Sequence, residues 1–394
     1  MFMSLFIIFF VGISVGYLFE KVHIPKIIWY LILGVLMSSS VLGLINDTLY
    51  SVSSYIRQIA LVIILTRSGL SLDLKKLKTI GRSAILMCFV PACFEIIGIT
   101  IFAPLLLGIS LFEAMLLGTV IAAVSPAVVV PRMIKLQEDE FVQNKTISEL
   151  IMAGSSFDDV FVIVLFYSFK NLVATSVFSI TSILMIPVSV LLGILLGTIV
   201  GFLYVLIMKR IDLPIYVHVI LVLGLSFGMI AVENLLKNII SISSLLGIIA
   251  LAVIIRIFFN EKALLIQKTY TSLWQGFEIL LFALVGATVD IKYVFSSQGA
   301  IMIGVIFIGL IFRSLGVLLC LIKTNYSVRE RLYIIISYLP KATVQASIGA
   351  IALSEGLACG DIILTGAVIA ILITAPLGAI LMDNLKKNLL YYRL

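Results

Sequence analysis

The chain has 394 residues, 62% of them hydrophobic and only 12% charged, with a mean hydropathy of +1.25. Soluble domains are about 45–50% apolar and about 25% charged, so the composition excludes one large globular core and defines an integral membrane protein. The formal net charge of +7 raises a nucleic-acid partner as an option, which its distribution along the chain then removes.

Thirteen apolar segments are predicted as spans, at about 2–19, 27–45, 54–72, 83–107, 112–131, 146–169, 178–208, 214–236, 239–259, 272–291, 297–322, 332–353 and 362–384. The first lacks a basic leader region and a small-residue cleavage site, so it reads as a retained span. The third is the least apolar, and the seventh is long enough to tilt or to include an interfacial turn. The fifth contains Ser125-Pro126 in its interior, within "AAVSPAVVVP", and the twelfth contains Pro340-Lys341, within "SYLPKATVQASIG". Proline removes a backbone donor and clashes with the preceding turn, so both spans are expected to break there and to free carbonyls. The four cysteines have no metal-like spacing and read as small packing residues, with no disulfide framework. Trp29 and Trp274 lie near span ends, as aromatic-belt residues do, and His23 and His218 are expected at the interface.

Orientation follows from the loops. With the N-terminus outside and the C-terminus cytoplasmic, 20 of the 27 basic residues fall in cytoplasmic loops. Four (Arg57, Lys170, Lys237, Lys292) lie outside, and Arg67, Arg313 and Lys341 lie at membrane depth or its edge. The bias obeys the positive-inside rule and supports an odd number of spans. The basic excess is therefore topological, and no nucleic-acid partner is expected. If spans 1–6 and 8–13 are two six-helix units joined by span 7, the odd linker inverts the second unit relative to the first. The two broken spans then hold corresponding positions, the sequence signature of a transporter's midplane site.

Glu95, Asp158, Asp159, Arg313 and Lys341 stand out among the ionisable residues inside the spans. Each acid near a helix centre carries an insertion penalty of roughly 3 kcal/mol, which makes a functional role the default reading. Consecutive helical positions point about 100° apart, so one of Asp158 and Asp159 can line a cavity while the other turns to a neighbouring helix. A carboxylate in a low-dielectric pocket holds a proton more readily than one in water, and the same oxygens suit a hard monovalent cation. Proton and cation then compete for one acid, the minimum chemistry of obligatory exchange, with freed carbonyls helping to bind the cation. Lys341 can offset the partial charge of carbonyls at a helix end. Ser125, Ser155, Ser156, Thr343 and Gln345 are polar neighbours suited either to ligation or to bonding backbone.

The strings "AVSPAVVVP" (123–131), "GSSFDDV" (154–160), "LFALVGATVDI" (281–291) and "LPKATVQASIGA" (339–350), in this order, resemble the monovalent cation:proton antiporter-2 family. They are most similar to its NHA subgroup of sodium/proton exchangers, as is "LTRSGLSLDLKKLK" (65–78). The resemblance implies an all-α polytopic fold of two inverted repeats, with crossed broken helices in spans 5 and 12, over a single transmembrane domain without a soluble domain. It implies core spans at about 83–169 and 297–384, panel spans at about 2–72 and 214–291, and a linker at 178–208. It further implies Na⁺ or Li⁺ binding at Asp159 with Asp158 beside it, elevator-type exchange for H⁺, no cofactor, a homodimer, and a plasma or inner membrane location. Glu95, Arg313 and Lys341 compensate charge, and Pro126 and Pro340 mark the crossover. Sequence depth lets Arg313 reach Glu95 or Asp158, and the NHA resemblance favours Glu95.

Other classes fit less well. An intramembrane aspartyl protease needs carboxylates facing each other from different helices, which adjacent acids on one helix do not supply. A cation-coupled organic-solute symporter on a related fold wants a larger polar cluster than the spans contain. A K⁺/H⁺ antiporter is the remaining alternative, weakened by the absence of a nucleotide-binding tail.

Overall fold

The computed structural model describes residues 1–22, 24–72, 81–139, 142, 144, 146–175, 180–236, 242–289 and 291–391. His23, Lys237, Lys75, Lys76 and Lys78 lie outside the described residues, as do Lys145 and Arg393 among the loop basic residues. Each of the thirteen predicted segments contains helix. Among the described residues, ten helical stretches are long and apolar enough to cross a bilayer, and three further segments hold the shorter apolar helices Lys26–Met37, Ser244–Phe258 and Thr343–Ser354. Leu191, Leu195, Phe202 and Leu206 are exposed along the helix Ile180–Met208. That outward apolar surface suits lipid, where it would be a liability in water.

The chain divides into two compact units. The first comprises Met1–Ser54, Leu74–Phe169 and Ile279–Leu394 and holds both interrupted spans; the second comprises Tyr55–Asp73 and Lys170–Glu278. Within the first, Val90–Leu107 packs along Ser297–Cys320 and Leu111–Ala122, and Thr343–Ser354 packs on Gly360–Leu390. Within the second, Ile180–Met208 packs along Ser244–Phe258.

Both interrupted spans begin in the same way. Ser110 accepts a bond from the Glu113 backbone while Glu113 Oε2 takes Ser110 N at 2.8 Å, and this capping box starts Leu111–Ala122. Ser327 and Glu330 form the same reciprocal pair ahead of Val328–Ser337, with Glu330 Oε2 2.6 Å from Ser327 N. Each box satisfies two orphan donors of a first turn and fixes where its helix starts. The helices then stop at the expected places. Residues 123–125 and 339–342 are non-helical, and helix resumes at Pro126–Glu138 and Thr343–Ser354. The last helix, Gly360–Leu390, passes directly over the second break. A Cβ at Gly378 would lie 2.5 Å from Pro340 Cγ, so only glycine permits the approach.

The C-terminal end of that last helix is tied to Pro126–Glu138. Arg132 makes a forked contact with Asp383, closest at 3.0 Å. Asp139 Oδ2 takes both Lys386 Nζ and the Tyr391 hydroxyl at 2.6 Å. Two expectations fail in the second unit. Trp274 is 2% exposed, with Nε1 donating to Glu278 at 3.3 Å, so it packs inside and does not belong to a belt. His218 is fully buried, with Nδ1 2.7 Å from the Tyr204 hydroxyl, because a tyrosine partner makes burial of the ring tolerable. Glu278, also buried, was passed over in the sequence reading.

Candidate ion- and proton-binding centre

Glu95, Asp158, Arg313 and Lys341 are all fully buried, and Asp159 is 4% exposed. Isolated ions at such depth would be prohibitively costly, and Glu95, Asp158, Arg313 and Lys341 offset one another by pairing. Arg313 is its hub. Nη1 lies 2.9 Å from Glu95 Oε2 and Nη2 lies 2.9 Å from Asp158 Oδ2. Nε donates to the Tyr338 carbonyl at 2.7 Å, and Nη1 also donates to the Ala122 carbonyl. Lys341 Nζ reaches Glu95 Oε2 at 2.6 Å and the Ala122 carbonyl at 3.2 Å. The choice between Glu95 and Asp158 as partner of Arg313 is thus corrected: the guanidinium fork holds both, as its planar set of five donors allows.

Asp158 Oδ2 accepts a second bond, from Val124 N at 2.8 Å, inside the first break. The acid therefore pins one broken helix to Arg313. Its other oxygen, Oδ1, is buried with no hydrogen-bond partner among the described residues. Asp159 follows in the same helix, Thr146–Thr175, on a face about 100° away.

The two breaks are bonded to each other. Ser125 N donates to the Pro340 carbonyl at 2.8 Å. Gln345 Nε2 donates to the Ala123 carbonyl at 2.7 Å and to the Ile121 carbonyl at 3.1 Å. Lys341 N is taken by Thr374 Oγ1 at 2.9 Å, and Thr374 in turn donates to the Ala370 carbonyl. With Arg313 and Lys341 on Ala122, the carbonyls of residues 121–123 all have partners. The carbonyls freed at this break are thus met, at least in part, by side-chain donors.

The remaining predicted residues sort as follows. Ser125 Oγ and Gln345 Oε1 are buried without hydrogen-bond partners among the described residues, so they keep acceptor capacity at the break. Ser155 Oγ bonds back to the Met152 carbonyl at 3.2 Å, the local alternative to ligation. Thr343 is buried at the start of its helix, where its carbonyl takes Ser347 Oγ. The side chain of Ser156 lies outside those described. Tyr338 and Thr374 were not singled out from sequence. Tyr338 directly precedes the Leu-Pro-Lys motif, a signal available there, whereas Thr374 lies 33 residues from the amide it caps.

An all-helical polytopic fold with a buried, internally paired cluster of charges at two helix breaks is that of an ion carrier. Residues 5–383 match the family described as sodium/hydrogen exchanger, transmembrane. The chain is 30% identical to sodium/hydrogen exchanger 9B2 of Mus musculus over 98% of its own length and 73% of that protein's. It is 32% identical to sodium/hydrogen exchanger 9B1 of Homo sapiens, covering 98% of this chain and 78% of that one. Its fold matches the sodium proton antiporter MjNhaP1 from Methanocaldococcus jannaschii at pH 8, with a TM-score of 0.79 at 21% identity, covering 98% and 96% of the two chains. The chain belongs to the sodium/hydrogen exchanger family and is a membrane transporter, not an enzyme.

Proposed function

We infer that the protein exchanges Na⁺ or Li⁺ for H⁺ by alternating access, with cation and proton competing for the Asp159 carboxylate and without a cofactor. The observation that carries this reading is the division of labour in the Asp pair. Asp158 is bound by Arg313 and by Val124 N, which makes it the supporting acid, and Asp159 points elsewhere along the same helix. The charge count agrees. Three acids accompany two bases in the cluster, so the fully ionised set carries one excess negative charge, which one cation or one proton cancels. That arithmetic supports a one-for-one exchange.

The matched capping boxes, each about one short helix ahead of its break, support two inverted six-helix repeats with broken helices crossing in spans 5 and 12 and a total of thirteen spans. The bonds between the breaks favour core spans 83–169 and 297–384 moving as one body, elevator fashion, against panel spans 2–72 and 214–291, with 178–208 as linker. A homodimer in the cell membrane, N-terminus outside, completes the proposal. Purified protein in proteoliposomes with an imposed pH gradient tests it. Added Na⁺ or Li⁺ should collapse the gradient while choline should not, and a gradient insensitive to all three cations rejects the function.

A further inference from the structure

Tyr338 is among the largest fully buried residues of the chain. It follows the last residue of Val328–Ser337, so its carbonyl is one of the acceptors left over at that helix end. Arg313 Nε donates to this carbonyl at 2.7 Å, and the guanidinium carbon stands 5.3 Å from the centroid of the Tyr338 ring. That spacing is within the range of a cation–π contact, which strengthens away from water. One residue therefore grips Arg313 from behind while Glu95 and Asp158 draw it forward. The ring is itself located by its far end. The hydroxyl is buried with no hydrogen-bond partner among the described residues and rests on Gly154, where a Cβ would lie 2.0 Å from it. Gly154 is four residues before Asp158 and shares its helix face. The contact thus joins the second break to the helix that carries both aspartates.

We propose that Tyr338 is a positioning residue for the exchange reaction, setting the direction in which Arg313 holds Asp158 and thereby the placement of Asp159, the next residue of the same helix. The proposal rests on the exchange activity inferred above. Without the ring, the guanidinium loses one of its supports and swings from Asp158. The helix that carries both aspartates then loses a fixed point at the first break, and the Asp159 carboxylate is held less well for the cation. The hydroxyl enters only as a spacer, so phenylalanine should serve nearly as well as tyrosine.

Proteoliposomes containing wild-type, Tyr338→Phe and Tyr338→Leu protein separate the possibilities, with the apparent Na⁺ KM, the maximal rate and the melting temperature recorded for each. Tyr338→Leu should raise the KM by about threefold to thirtyfold, the range of one desolvated cation–π contact. Maximal rate should change little, and Tyr338→Phe should restore the KM. If Tyr338→Leu does not fold, Gly154→Ala drives a methyl onto the hydroxyl and should raise the KM. Adding Tyr338→Phe should then recover part of the loss, Met87 Cβ remaining at 2.9 Å. A wild-type protein without exchange overturns the functional reading and this proposal together. An active wild type with an unchanged KM in Tyr338→Leu overturns the proposal alone, as does a Gly154→Ala defect that Tyr338→Phe leaves untouched.

Discussion

Arg313 and Asp158 form a 2.9 Å ion pair in which neither side chain has any exposure to solvent, and the same arginine holds Glu95 at an equal distance. The stability of the centre therefore depends on three residues jointly. Removing one partner of a buried pair typically costs about 3–5 kcal/mol because the other charge is stranded. Arg313→Gln strands Asp158 and leaves Glu95 to Lys341 alone, and it should lower the melting temperature most. Glu95→Gln and Asp158→Asn should each cost less. The double change Arg313→Gln/Glu95→Gln should recover only part of the loss, the triple change more. Thermal unfolding in detergent checks the series, and strictly additive losses would contradict the shared arginine.

Asp159→Asn keeps the shape of the side chain and removes its charge. Na⁺-dependent collapse of a pH gradient should fall to the level of empty liposomes, while the melting temperature stays near that of wild type. Wild-type-like exchange in this variant would remove Asp159 from the mechanism.

The proposed competition for one carboxylate fixes the sign of the expected pH response. Lowering the pH fills the site with protons, so the apparent Na⁺ KM should rise with little change in maximal rate. Across the range where protons compete, each unit of acidification should approach a tenfold increase, as expected for one proton per site. A KM flat with pH would mean separate sites.

The proposed one-for-one cycle would move no net charge. Clamping the membrane potential with K⁺ and valinomycin should leave the exchange rate unchanged at fixed ion gradients. A rate that follows the imposed potential would overturn the one-for-one cycle.

Gln345 closes the first break through two carbonyls. Gln345→Leu leaves both acceptors buried and unmet, at about 1–3 kcal/mol each. Melting temperature should fall and turnover should fall with it. Gln345→Glu, which cannot donate from either oxygen when ionised, should not restore them. Unchanged stability in Gln345→Leu would place the holding force at Ser125 and Pro340 alone.

Elements with a one-dimensional signal were legible in the sequence. The apolar runs, the prolines at 126 and 340 and five intramembrane charges all mark themselves by composition. Partnership was not legible. Arg313 sits 218 and 155 positions from its two acids, and depth along a helix cannot say which neighbour a fork will face. The capping of residues 121–123 was hidden for the same reason: a proline announces that carbonyls are freed, but Gln345 and Lys341 reach them only in three dimensions. Trp274 and His218 misled because position near a span end says nothing about which face of the helix a residue occupies. The capping boxes at Ser110 and Ser327 were readable, since serine followed three positions later by glutamate before an apolar run is a local pattern.

The separation of the paired charges along the chain also sets an order of events during biosynthesis. Glu95 and Asp158 leave the ribosome 218 and 155 residues ahead of Arg313, and Lys341 follows Glu95 by 246. At about 5–20 residues per second, the Asp158-bearing helix waits roughly 8–30 s before its arginine exists. Through that interval the first half of the protein must reside in the bilayer with acids whose counter-charges have not been made. Early helices have reason to stay near the insertion machinery until the eleventh and twelfth spans arrive. Truncation before residue 313 would then yield a chain that is held back and degraded, and not a half-sized carrier.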